Sequence, residues 1–188
     1  MKKTLVLFVL GMSVLLTACG NDDNTGASGA RFNDQDVKFA QQMIPHHEQA
    51  VEMADLATTR AASAEVKDLA AAIQSAQDPE IRTMTAWLKD WDKPLPDDGS
   101  GGMDHGSSDD GAMTGMMSDD DMESMGLASG AGFDTMFLTV MIKHHQGAIG
   151  MADTEISKGS NAEAQALAKT IKDAQTAEIA TMKALLDK

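Results

Sequence analysis

Apolar residues recur along the chain with the alternating three- and four-residue spacing of a buried helix face. The first such stretch contains Phe39, Met43, His46, Ala50 and Met53. A helix with this pattern packs one stripe of side chains against neighbouring helices. Asn33 or Asp34 can cap its start. No stretch alternates usefully with the two-residue period of a strand, so the pattern predicts an all-α protein.

Three further helices are predicted, over about 64–89, 133–157 and 162–188. In the second helix Gln77 and Glu80 interrupt an otherwise apolar stripe. Gly159 is a plausible end for the third helix, and Asn161 a plausible cap for the fourth. Pro45 lies inside the first helix, where it removes a hydrogen bond, so we expect a kink or a loosened turn beside the histidines.

The two predicted hairpins are copies of each other. Residues 36–88 align with residues 134–186 without a gap, at an offset of 98, and 23 of the 53 positions are identical. The shared motif reads Met-Ile-x-His-His, at 43–47 and again at 141–145. Each hairpin alone would expose its apolar stripe, so we expect both to form one four-helix bundle.

The amino terminus is predicted to be a lipoprotein signal peptide spanning residues 1–19. Lys2 and Lys3 precede an apolar segment that is too short for a comfortable membrane span, and the segment ends Leu-Thr-Ala-Cys. Cys19, the single cysteine of the chain, lies where a bacterial lipobox requires it. This predicts an exported protein anchored to the bacterial membrane by a lipid on Cys19. An ordinary secretory signal is the alternative.

The rest of the chain divides by composition. Residues 20–33 form a predicted flexible tether. The single domain spans residues 34–188, with hairpins at 34–92 and 133–188. Between them, residues 93–132 are rich in Gly, Ser, Asp and Met and are predicted to be a disordered linker, in which Ser118 could cap a short helix.

The net charge of −14 restricts the class of partner. Nucleic-acid binding requires a basic face, so this class is excluded, whereas a cationic partner fits. Thioether sulfur is a soft ligand that favours Cu(I), and imidazole serves Cu(I), Cu(II) and zinc. Thioethers do not need to lose a proton, so a Met/His site persists in mild acid. The pattern therefore predicts copper, with Cu(I) favoured and Cu(II) as the alternative.

The predicted ligands are the two histidine pairs and the methionines one or two turns away: His46, His47, His144, His145, Met43, Met53, Met141 and Met151. Methionines at such positions usually only fill a core, and a lone buried histidine is usually structural. Adjacent histidines retained in both copies favour a metal, because packing does not require imidazole. Polar and thioether residues of the second and fourth helices could hold a ligand ring or bind directly, namely Gln77, Glu80, Met84, Gln175, Glu178 and Met182.

The linker supplies a further set of candidate copper ligands: Met103, His105, Met113, Met116, Met117, Met122 and Met125. These methionines show no periodic apolar face, so the pattern assigns them no packing role. No Lys or Arg occurs between Lys93 and Lys143, and the acidic residues of the linker would concentrate cations. A solvated spacer is the alternative interpretation.

The repeated Phe-x-x-x-Met-Ile-x-His-His motif, with its following Met-Ala and the later Gln-x-x-Glu-Ile-x-x-Met, resembles the family called domain of unknown function 305. The resemblance covers residues 34–188. It implies a ferritin-like four-helix bundle in secreted or envelope bacterial proteins, with a link to copper in some members. The motif differs between the copies, since Pro45 corresponds to Lys143. The resemblance therefore does not require the two sites to be equivalent.

The sequence leaves three classes of function to compare. The first is a copper-binding protein that sequesters copper or relays it to an envelope partner. The second is an interaction module that binds no metal. The third, a di-iron oxidase, needs Glu-x-x-His on two helices. The residues three positions before the histidines are Met43, Ile44, Met141 and Ile142, so the required carboxylates are missing and a non-enzymatic role is predicted.

Overall fold

The computed structural model describes residues 31–96 and 114–188, which form five α-helices. These are α1 (Asp34–Arg60), α2 (Ala64–Asp90), α3 (Asp119–Leu127), α4 (Gly130–Lys158) and α5 (Ala162–Leu186). The predicted signal peptide, Cys19 and most of the tether lie outside the described residues, as do Met103, His105 and Met113. None of the described helices is long and apolar enough to cross a membrane.

Local capping explains where the helices begin. Asn33 accepts hydrogen bonds from the N–H groups of Gln35 and Asp36, and Asn161 does the same at the start of α5. These side chains satisfy N–H groups that the first turn leaves without partners. Helix α1 continues through Pro45 without a break, and α4 begins three residues before the predicted start at Phe133.

Helices α1 and α4 are the central pair of the bundle and run antiparallel. Asp36, at the start of α1, accepts hydrogen bonds from the N–H groups of Ser160 and Asn161, just after the end of α4. Asp134, at the start of α4, accepts from Ala62 and Ser63, just after the end of α1. The two hairpins are therefore joined at both ends by equivalent contacts. The predicted four-helix bundle of duplicated hairpins is confirmed.

The apolar core consists of two clusters that the duplication relates to each other. Cluster A includes Met53, Ile73, Phe133, Phe137, Met141 and Met182. Cluster B includes Phe39, Met43, Met84, Leu88, Ala148 and Ile171. Each cluster combines residues of both hairpins, so neither hairpin contains a complete core of its own.

The linker departs from its prediction. Ser118 caps α3 through the N–H of Asp121, as expected, but Met125 of this helix is fully buried in cluster A. Met117 and Met122 are partly buried against the same cluster. The expectation that these methionines lack a packing role is wrong, because all three side chains pack against cluster A. The segment that carries them is too short to show a periodic apolar face in the sequence.

Candidate metal centre

Four histidines form a layer across the middle of the bundle. His46, His47, His144 and His145 all have side chains fully removed from solvent. In α1 the histidines follow Met43 of cluster B and precede Met53 of cluster A, while in α4 the order of the clusters is reversed. The antiparallel arrangement of these helices therefore brings both pairs to the same level, with apolar packing on either side.

His46 and His144 face each other across the boundary between the hairpins. Their ring centroids are 3.7 Å apart, and the planes are inclined by 37°. Burial, reinforced by the neighbouring His47 and His145, lowers the pKa of His46 to about 3. Burial and the other three histidines also strongly lower the pKa of His144. Both rings are therefore neutral at physiological pH and keep a lone pair that a metal ion can use.

The other two histidines are held by glutamates of the outer helices. His47 Nε2 lies 2.8 Å from Glu80 Oε2, and His145 Nε2 lies 2.6 Å from Glu178 Oε2. In the neutral imidazole the Nε2–H donates to the carboxylate, which leaves the lone pair on Nδ1. The glutamates thus occupy positions from which they can orient a ring, which is one of the two roles that the sequence left open for them. Gln77 and Gln175 are buried beside the same helices.

The ring nitrogens that remain are the most unusual feature of the layer. Both nitrogens of His46 and of His144, and Nδ1 of His47 and of His145, are buried, and no group among the described residues meets them with regular hydrogen-bond geometry. The main chain of Thr114 lies near the His46 ring and that of His46 near the His144 ring, but burial outweighs the effect of both contacts on the pKa. Leaving a buried polar atom unpaired costs about 1–3 kcal/mol, so native proteins keep such atoms few. Each neutral ring has one N–H and one lone pair, so four of these six nitrogens, one from each ring, can present a lone pair to a ligand. The donor set fits a soft or borderline metal ion.

The predicted methionines lie on both sides of this layer. Met53, Met141 and Met182 are buried in cluster A, whereas Met43 and Met84 are buried in cluster B with Met151 partly buried against it. Each cluster thus contains three thioethers from the predicted set, two from one hairpin and one from the other. Among the described residues no three imidazole, thiolate or carboxylate groups are arranged to hold an ion. The thioethers of the two clusters are the further candidate ligands on either side of the layer.

A short segment of the linker covers the histidine layer, and we name residues 114–118 the strap. Gln49 binds the main chain of Met117 twice, through Nε2 to the carbonyl oxygen at 3.0 Å and through Oε1 to the N–H at 2.8 Å. On the other side the Thr114 carbonyl rests on Gly147, where any Cβ atom would collide with it. Gly115 adopts a positive φ of 92° and lies against the carbonyl groups of Lys143 and His144.

Sequence reasoning missed the strap and the residues that hold it. Gln49 and Gly147 occupy equivalent positions of the two copies, immediately before the shared Ala50 and Ala148. The strap explains why the two residues differ. Gln49 forms hydrogen bonds with Met117 of the strap, whereas Gly147 lacks a Cβ atom and so leaves room for the Thr114 carbonyl. A comparison of the positions that differ between the copies would have provided this signal.

The geometry can be compared with proteins of known structure. A DUF305 protein from Streptomyces coelicolor, described as secreted, is 29% identical with a TM-score of 0.72, over 81% of this chain and 92% of the other. A DUF305 fragment from Deinococcus radiodurans is also 29% identical, with a TM-score of 0.70, over 82% and 97%. CopM in its Cu(II)-bound form is 31% identical with a TM-score of 0.67, over 81% and 95%. CopM is also known in Cu(I)-bound and Ag-bound forms.

A search among curated proteins finds no match. The family model of DUF305, a domain of unknown function, matches residues 36–186 and therefore spans both hairpins, the histidine layer and the strap. The chain belongs to the DUF305 family.

Proposed function

We propose that this protein binds copper in the histidine layer and sequesters or relays it outside the cytoplasm, without catalysing a reaction. The observation that carries the proposal is the set of six buried ring nitrogens without hydrogen-bond partners among the described residues. A protein stabilised only by packing gains nothing from four buried imidazoles. An ion that takes one lone pair from each ring would offset part of the cost of burying them.

Copper(I) is the favoured ion because the donors near the layer are neutral. Met43 and Met141 lie one turn before the histidines, in clusters B and A. A neutral shell of imidazole and thioether suits a soft monovalent ion and releases no proton from sulfur on binding. CopM, at about 30% identity, is known with Cu(I), Cu(II) and silver, and Ag⁺ resembles Cu(I) in charge and softness.

The location proposed for this function is the outer face of the bacterial membrane. The lipobox-like sequence that ends at Cys19 supports a lipid anchor, and residues 20–33 would act as the tether. The family member from Streptomyces coelicolor is described as secreted, which agrees with export. Copper ions are then the ligand, and an envelope copper-handling protein is the partner expected for a relay.

An auxiliary role remains proposed for part of the linker. Met116 and Met117 are only partly buried, and with Met136 they line a surface cavity of about 430 Å³ beside the strap. Thioethers at this position could deliver copper to the layer that the strap covers. Met125 is excluded from this role, because its side chain is fully buried in cluster A.

Titration of the metal-free protein with Cu(I) and with Cu(II), each against a competing chelator, tests the proposal. We expect a tight class of Cu(I) that disappears when His46 and His144 are both replaced by Leu. The matched control is His105→Leu, which changes the one histidine outside the two pairs and should retain the tight class. If the double variant folds and binds Cu(I) as the parent does, the histidines are structural and an interaction module becomes the better interpretation.

A further inference from the structure

A second buried polar group lies far from the histidine layer, where the start of α1 meets the turn between α4 and α5. Glu155, in the last turn of α4, has a side chain fully removed from solvent, and no donor among the described residues meets either carboxyl oxygen with regular hydrogen-bond geometry. The Gln35 side chain is near enough to act against the rise in the pKa of Glu155, but burial and Asp36 outweigh it. Its polar neighbours are Asp36 and Gln35 of α1. Asp36 is also fully buried. Two carboxyl groups therefore share one enclosed site.

The two carboxyl groups differ in how they are satisfied. Asp36 accepts hydrogen bonds from the N–H groups of Asn33, Ser160 and Asn161, and from the Ser160 hydroxyl group. Such donors stabilise a carboxylate ion. Glu155 receives none of them. A contact between two carboxyl groups becomes a hydrogen bond only when one of them carries a proton, and the environment assigns that proton to Glu155.

The duplication shows that the fold itself does not require this acid. The position equivalent to Glu155 in the first copy is Ala57, and the position equivalent to Gly159 is Ala61. A Cβ atom at Gly159 would collide with the Glu155 carboxyl group. The second copy thus has the larger Glu155 in place of Ala57 and, one turn later, the smaller Gly159 in place of Ala61. The two differences are complementary, because Gly159 leaves the space that the Glu155 carboxyl group fills. Asp134, the counterpart of Asp36, accepts hydrogen bonds from the N–H groups of Ala62 and Ser63 at the other turn, where Ala57 occupies the position equivalent to Glu155.

We propose that Asp36 and Glu155 bind one proton between them and act as a proton-dependent latch that joins the start of α1 to the α4–α5 turn. In the closed latch the protonated Glu155 donates to the Asp36 carboxylate, which in turn holds the N–H groups of the turn. Loss of the proton places two negative charges in one buried site. The contacts of Asp36 with Ser160 and Asn161 then weaken, and this end of the bundle opens first.

The electrostatics of the site support this assignment. Burial, together with the hydrogen bond and the negative charge of Asp36, raises the pKa of Glu155 to about 8. Burial acts to raise the pKa of Asp36 as well, but the hydrogen bond from Glu155 and those from the turn lower it overall. The charged residues that flank the site in sequence, Lys158 and Glu163, are exposed. Asp36 is thus the charged neighbour that acts on Glu155 from α1.

The sign of the pH dependence follows from the raised pKa. The folded protein holds the Glu155 proton more tightly than the unfolded chain, in which the group titrates near 4.5. Its contribution to stability is therefore complete below about pH 4.5 and is lost as the pH rises through about 8. Between these values the folded-to-unfolded ratio should fall by up to about tenfold per pH unit because of this one proton.

Two variants isolate this effect in the metal-free protein. In Glu155→Gln the amide donates to Asp36 as the protonated acid does, but it cannot titrate. In the double variant Glu155→Ala, Gly159→Ala the site becomes a copy of the first hairpin, which is known to fit the turn. Urea unfolding between pH 5 and pH 9 should show a loss of stability in the parent that both variants lack. The carbon NMR signal of the Glu155 carboxyl group should titrate near pH 8.

The proposal is overturned if this signal titrates near pH 4.5, or if the parent and both variants change stability in parallel. Stabilisation by added Ca²⁺ or Zn²⁺ that disappears in Glu155→Gln would also overturn it, because the pair would then be a cation site. Copper titration of Glu155→Gln should match the parent. The latch and the copper centre can therefore fail independently.

Discussion

At the scale of single residues, the histidine layer places chemical function in opposition to stability. His46 and His144 are neutral, lie in close contact and lack regular hydrogen bonds in the described parts of the chain, so they cost folding energy in the metal-free protein. Glu80 and Glu178 lessen this cost for the other two rings and fix the nitrogen that each presents. An apolar bundle of the same shape would be more stable and would bind nothing.

The first prediction concerns this opposition. Replacing both His46 and His144 by Leu should raise the free energy of unfolding of the metal-free protein by about 1–3 kcal/mol, since it removes unpaired buried nitrogens and keeps a similar volume. Urea denaturation at pH 7 measures the change, and the same preparation should lose tight Cu(I) binding. A decrease in stability of this size would contradict the prediction and show that the rings are satisfied in the folded protein.

At the scale of elements, we propose that the strap controls access to the layer. The histidines are fully buried, so an ion can reach them only if some element moves. The strap is held by two hydrogen bonds between Gln49 and Met117, by the contact of Thr114 with Gly147 and by the partial burial of Met117 against cluster A. A short segment of this kind opens at lower cost than the long helices beneath it.

The second prediction tests the strap with two glycines of the same helix. In Gly147→Ala the new methyl group collides with the Thr114 carbonyl, so the strap must lift, and a chelator should remove bound copper faster. Each 1.4 kcal/mol of lost strap stability corresponds to about a tenfold faster release when opening limits the rate. The rate is measured by stopped-flow mixing of the copper-loaded protein with excess chelator.

The matched control is Gly150→Ala, one turn further along α4, where a Cβ atom meets no other group within 4 Å. It should leave the release rate unchanged and stabilise the helix by about 0.5–1 kcal/mol. Equal rates for the two variants would show that the strap does not control access.

At the scale of the whole molecule, the two hairpins depend on each other for a core and for a site. Cluster A takes Met53 and Ile73 from the first hairpin and Phe137 and Met141 from the second, and cluster B does the reverse. The contact between His46 and His144 also joins the first hairpin to the second. Copper bound there would connect the hairpins directly and would stabilise the folded state by mass action.

The third prediction follows from the shared core. Residues 34–92 expressed alone should be poorly folded or should self-associate, because Phe39, Met43 and Met53 would lose the partners that bury them. Self-association is the expected outcome at high concentration, since a second copy of the hairpin resembles the missing one. Analytical ultracentrifugation with thermal melting measures both properties. A monomeric fragment with a cooperative melting transition would contradict the prediction.

The amino-acid sequence determined the helices, their caps at Asn33, Ser118 and Asn161, the duplication, and the burial of His46 with its counterpart His144. These features depend on neighbours within a few turns, so the spacing of apolar residues and the identity of capping residues are sufficient to predict them. The offset of 98 residues also predicted that the copies pack together, because neither can bury its stripe alone. The recurrence of Glu80 and Glu178 marked both as candidate site residues, but it left open whether they orient a histidine ring or bind a metal directly.

Only the tertiary structure decided which groups meet across the bundle. The contacts that it decided join segments that are far apart in the chain. They are the contact of His46 with His144, the position of the strap over Gly147, the burial of Met125 and the pairing of Asp36 with Glu155. Periodicity describes one helix at a time and cannot specify the level at which an antiparallel partner docks. That level is fixed when the end contacts of Asp36 and Asp134 and the two apolar clusters are satisfied together.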